Sequence, residues 1–87
     1  MADEDAARTA ALETVAEQLI SARAARGLEV EFAAELAHVD PERLAGAEAA
    51  ELALTEEELQ RLADTYEVGI TAFFGGRVTP VSYLFGA

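Results

Sequence analysis

Asp40-Pro41 fixes how the middle of this 87-residue chain can be arranged. An Asp side chain accepts a hydrogen bond from the free N–H groups of a helix's first turn. Pro has no N–H to lose and fits the first helical position. A helix is therefore expected from Pro41 to about Ala50, with Leu44 and Ala47 facing inward. The segment before it, from about Val30 to His38, carries Val30, Ala33, Ala34 and Ala37 at helical spacing, with Phe32 or Leu36 widening that stripe. Only Val39 and the cap separate the two helices, so they are expected to form a tight helix-turn-helix.

The flanking segments read as further helices. The first five residues are expected to fray. From about Ala6 to Arg26 there is no Gly or Pro, and Leu12, Val15, Leu19 and Ala22 recur at spacings of three and four, with Ala16 and Ile20 widening the apolar face. Gly27 is the natural stop. Thr55-Glu56-Glu57-Glu58 forms a capping box that opens another helix, with Leu59, Leu62, Ala63 and Tyr66 as its inner stripe. Gly69 marks a break, after which Ile70–Phe74 reads as one short helical turn. The remainder, residues 76–87, is an apolar C-terminal extension through which Pro80 excludes a helix. The expectation is an all-α domain of five short helices over residues 6–75.

One domain is all that a chain of this length accommodates, and its stability is expected nearer ~5 than ~15 kcal/mol. There is no cysteine, so disulfides and thiolate metal sites are excluded. The acidic N-terminus MADEDAAR has no apolar stretch behind it, as a secretory signal would. No apolar run approaches the ~20 residues that cross a bilayer, so a cytoplasmic protein is expected. No enzyme is expected either: His38 is the single histidine, at a helix end, and neither Ser21 nor Ser82 has a recognisable partner. Glu56, Glu57 and Glu58 fan out by about 100° each around a helix and do not converge on a metal ion. Gly75-Gly76 lacks the Lys-Ser/Thr of a phosphate loop. No cofactor and no small-molecule substrate is implied.

Leu19, Arg23, Gly27-Leu28, Ala34, Val39, Leu44 and Glu48, followed by Leu59, Leu62-Ala63, Val68 and Phe73-Phe74, carry a likeness to a known family. At these spacings the chain resembles the lambda-repressor-like (XRE) helix-turn-helix family over about two-thirds of its length, with no gap from Leu19 to Glu48 or from Leu59 to Phe74. The resemblance implies a five-helix bundle and a role in transcriptional regulation. It also implies that Arg23, late in the first helix, pairs with Glu48 at the end of the third. The positions that would face DNA hold Glu29, Val30, Pro41, Glu42, Arg43 and Gly46, with Arg26 nearby.

Charge argues against that use. Leu28–Glu51 contains Glu29, Glu31, Glu35, Asp40, Glu42, Glu48 and Glu51 against Arg43 alone, within a chain of net charge −11. DNA affinity comes largely from cations that displace counterions from phosphate, and this face has almost none. An acidic surface also disfavours anionic membranes. Val78, Val81, Tyr83, Leu84 and Phe85 place a heavy apolar load in the last residues, suited to packing on the chain's own helices, on a twin subunit or on a partner. The favoured expectation is a regulator-like protein that acts through protein–protein association, as a homodimer or with a partner, with DNA contact weak or absent. The alternatives are a sequence-specific DNA-binding regulator of the XRE class, relying on Arg26 and Arg43 in a dimer, and an acidic DNA mimic that occupies a nucleic-acid-binding protein.

Overall fold

The structure is a computed structural model that describes residues 2–76. Four α-helices precede one 3-10 turn: α1 (Ala2–Ala25), α2 (Val30–Ala37), α3 (Pro41–Glu48), α4 (Glu56–Tyr66) and the turn Ile70–Phe74. No strand occurs among the described residues. The expected fifth helix is thus a single 3-10 segment, because Gly69 and Gly75 leave only five residues between them. Helix α1 reaches back to Ala2, through residues expected to fray. Once a helix is nucleated in its packed middle, each further residue without Gly or Pro adds at little cost.

Starts and stops follow the sequence signals closely. Asp40 accepts from the Glu42 N–H at 2.8 Å, and Pro41 is the first residue of α3. Thr55 and Glu58 form a reciprocal capping box: the Glu58 N–H donates to Thr55 Oγ1 at 3.1 Å, and the Thr55 N–H donates to Glu58 Oε1 at 2.8 Å. Helix ends share one device. The N–H of Leu28, Val39, Glu51 and Val68 each donates back to the carbonyl five residues earlier, of Arg23, Ala34, Gly46 and Ala63. This closure requires a left-handed residue just before the donor. Gly27 supplies it at φ 67°, but His38, Ala50 and Glu67 adopt φ 58°, 60° and 59° with a Cβ present. Helix α3 therefore ends at Glu48, two residues short of the expected Ala50, because Ala50 is taken up in the closure.

Helix α1 packs against α3 and the 3-10 turn, α2 against α3 and α4, and α4 against the 3-10 turn. The core is formed by Leu12, Val15 and Leu19 of α1, Leu44 of α3, Leu59, Leu62 and Tyr66 of α4, Phe73 and Phe74, with Leu54 entering from the loop before α4. Helix α2 buries only Ala33, Ala34 and Ala37 fully in it, with Val30 packed partly against it. Two expectations about side-chain direction are corrected here. Phe32 and Leu36 do not widen the core stripe of α2; they are 51% and 48% exposed, because α3 and α4 approach the alanine side. Ile20 of α1 is likewise mostly turned outward, whereas Ala16 is buried.

Candidate functional site

The face to consider is the pair α2–α3, where the sequence concentrates its carboxylates. Helix α3 is held by two arginine clamps, one at each end. Near its C-terminus, Glu48 receives Arg23 Nε at 2.8 Å and Nη2 at 2.9 Å, while Arg23 Nη1 donates to the Leu28 carbonyl at 2.8 Å. One side chain thereby ties α1 to α3 and satisfies a carbonyl in the α1–α2 turn. The pair is largely withdrawn from solvent, with Arg23 and Glu48 20% and 9% exposed. The hydrogen bonds to Glu48 raise the Arg23 pKa above its ordinary value.

At the other end of α3, Arg43 Nε and Nη2 donate to the two carboxylate oxygens of Glu58, both at 2.7 Å. Arg43 Nη2 also makes a long contact of 3.4 Å to the Ala53 carbonyl. Glu58 is the capping-box residue of α4, so one carboxylate serves both the Thr55 N–H and Arg43. The Arg43 bonds, helped by the Thr55 N–H, hold the Glu58 pKa down at about 2.

The positions expected to face DNA fare differently from one another. Arg26, just past α1, donates to Glu67 at 2.7 Å across the end of α4 in an exposed pair. Arg43 is committed to Glu58 as described. Val30 opens α2 and packs partly into the core. Gly46 lies under Leu52: a Cβ built there would stand 2.7 Å from Leu52 Cδ2, so this glycine serves close packing of the α3–α4 loop. Glu29 and Glu42 are exposed, as is Pro41. The cations expected to reach phosphate thus carry carboxylates, and the acids keep their access to water. Arg61, the remaining paired arginine, bonds Glu57 at 2.7 Å and the His38 carbonyl at 3.3 Å.

Sequence reasoning missed Glu58 and Glu67 as arginine partners, since both contacts span separate helices. It also missed Leu54, for which a signal existed. Leu54 precedes the N-cap Thr55, and Leu59 is the fourth helical residue, the two positions of a hydrophobic staple; both are buried. Val39 and Leu44 repeat the arrangement around Asp40. Val78, Val81, Tyr83, Leu84 and Phe85, the expected association residues, lie outside the described residues.

Among the described residues, no group of three or more acidic or histidine side chains is placed to hold a metal ion. No helix there is long and apolar enough to cross a membrane. Comparison with known proteins finds no family model, no curated protein and no solved structure that matches the chain.

Proposed function

We propose that this chain is a lambda-repressor-like helix-turn-helix scaffold used in regulation through protein–protein association, with direct DNA contact weak or absent. The three-residue turn His38–Asp40 between α2 and α3 and the Arg23–Glu48 brace at the positions the family uses both favour the scaffold part of this reading. The observation that carries the functional part is the Arg43–Glu58 clamp. Arg43 is the only cation between Leu28 and Glu51, and its two strongest donors point at a carboxylate. For Arg43 to meet a phosphate, two charge-assisted hydrogen bonds must first break and Glu58 must be left facing the duplex. Arg26 is easier to release, since exposed pairs contribute about 0–1 kcal/mol, but one phosphate contact displaces few counterions. In this reading the extension of residues 76–87 mediates association with a twin or a partner.

The test is titration of the full chain against a pool of labelled genomic DNA fragments at low salt, repeated as salt rises. No saturable binding at low salt is the expected outcome. Saturable binding that weakens steeply with salt would transfer the conclusion to a DNA-binding regulator of the same family.

A further inference from the structure

Helix α2 is inverted with respect to side-chain size. Its buried side is made of methyl groups, from Ala33, Ala34 and Ala37, while Phe32 and Leu36 stand on the outside. These two are four residues apart and so lie one turn apart on the same face. Apolar area left in water is a cost that burial against a partner removes, so the outward pair is a substantial unused apolar surface for a domain this small. Carboxylates edge it. Glu31 and Glu35 precede Phe32 and Leu36 by one residue each and run along one side, and Glu29 stands at the N-terminal end; all three are exposed. The four arginine ion pairs among the described residues use other carboxylates, namely Glu48, Glu57, Glu58 and Glu67.

From this arrangement, we infer that the outer face of α2 is a docking surface for a partner protein that presents an amphipathic helix with an apolar stripe flanked by Lys or Arg. The inference rests on the association reading above and names the partner's chemistry. Two helices meeting in this way bury an apolar seam and pair charges along its edges, as a coiled coil does. Charge decides among occupants. A second copy would bring the same carboxylates and its own −11 to the seam. The chain's own residues 77–87 offer Arg77 and no lysine to three carboxylates. A basic helix alone satisfies both the apolar pair and its edges.

The probe is a synthetic helical peptide with Leu along one face and Lys on both flanks, added to isotopically labelled full-length protein and followed by NMR. Saturable shifts concentrated in residues 29–38 are expected. Binding should weaken at least tenfold for the doubly substituted Phe32→Gln/Leu36→Gln protein, and equally for a peptide whose Leu residues are replaced by Ser. Because Phe32 and Leu36 are half-exposed, the double variant should keep the wild-type amide spectrum. If it does not fold, Glu31→Lys/Glu35→Lys serves in its place, with the same loss expected. Shifts spread equally over Glu56–Glu58 and other acidic stretches, or affinity unchanged by these substitutions, would overturn the inference in favour of undirected charge attraction. Nuclear Overhauser contacts from Phe32 or Leu36 to Val78–Phe85 without peptide would overturn it in favour of the chain's own extension. Concentration-dependent shifts in α2 would overturn it in favour of a second copy. The DNA titration is independent: if DNA does not bind and the peptide also misses α2, this surface fails while the association reading stands.

Discussion

Arg43 and Glu58 meet through two contacts of 2.7 Å, so that the third residue of α3 is fastened to the carboxylate that caps α4. The clamp makes the start of α4 and the outward face of α3 one mechanical unit. It also ties the charge of Glu58 to the stability of the fold in acid. Folding lowers the Glu58 pKa from its ordinary value of 4.5 to about 2, chiefly through Arg43. A group lowered in this way contributes stability above its unfolded pKa and loses it as pH falls through the folded value. Urea unfolding of the wild type and Glu58→Gln at pH 7, 4 and 2.5 should therefore show a gap of about 1–2 kcal/mol that narrows between pH 4.5 and 2. This figure is discounted from the full linkage value because Arg43 is two-fifths exposed. A gap independent of pH would assign the contact no electrostatic role.

Arg23 and Glu48 make a stronger case, because they are the less exposed pair. Glu48→Gln retains the shape but removes the charge opposite a mostly covered guanidinium, which should cost ~2 kcal/mol in chemical denaturation. Arg23→Lys should cost nearly as much. An ammonium cannot bond both Glu48 oxygens and the Leu28 carbonyl in the fork geometry seen here. Full stability in the lysine variant would show that charge alone, rather than the fork, holds α1 to α3.

Tyr66 is an exception to the rule that buried polar atoms find partners. Its ring packs edge-on to Phe73 at 6.4 Å between centroids, and its hydroxyl has no hydrogen-bond partner among the described residues. Burial, aided by the negative charge of Glu48, pushes its pKa up to about 12. Tyr66→Phe should be neutral or stabilising by up to ~1 kcal/mol at pH 8, since an unpaired hydroxyl costs its desolvation. A raised pKa gives stability that is complete below the unfolded value near 10 and is lost as pH climbs toward 12. The advantage of the Phe variant should therefore widen between pH 9 and 11, read from melting curves at each pH. A loss of more than 1 kcal/mol at pH 8 would mean that the hydroxyl is bonded after all.

His38 is exposed and left-handed at the end of α2, with φ 58°. A Cβ in that conformation costs roughly 1–2 kcal/mol, which glycine avoids at the expense of a freer unfolded chain. His38→Gly should exceed His38→Ala by about 1 kcal/mol, a difference of roughly 4–8 °C in Tm for a domain of this size. Equal melting points would show that this closure imposes no strain.

Much of this architecture was legible because it depends on local chemistry. Asp40-Pro41, the Thr55–Glu58 box and Gly27 each act within one turn of the chain, and each sits where the residues imply. The interior stripes of α1, α3 and α4 were readable for the same reason. The stripe Val30, Ala33, Ala34 and Ala37 of α2 was readable too, but its edge was not: only the approach of α3 and α4 leaves Phe32 and Leu36 outside it. The Arg23–Glu48 contact was anticipated through a family resemblance, not from periodicity. Arg43–Glu58 and Arg26–Glu67 connect residues 15 and 41 apart along the chain, and nothing in the local sequence marks them. The α2–α3 face was therefore judged acidic from composition, while the engagement of its arginine emerged only in three dimensions.

Helix α1 spans about 36 Å at 1.5 Å per residue, close to the 38 Å length of the whole molecule. Among the residues whose burial is described, the first buried one in α1 is Leu12, and Ala6 to Ala10 are exposed. The stretch from Ala6 to Ala10, about 7 Å of helix, thus extends past the packed body as a rod. Such a rod makes rotational diffusion anisotropic: amide vectors along α1 should reorient more slowly, and so show a higher R2/R1 ratio, than those across it. A probe attached near Arg8 would follow the long axis of the particle and report its reorientation directly.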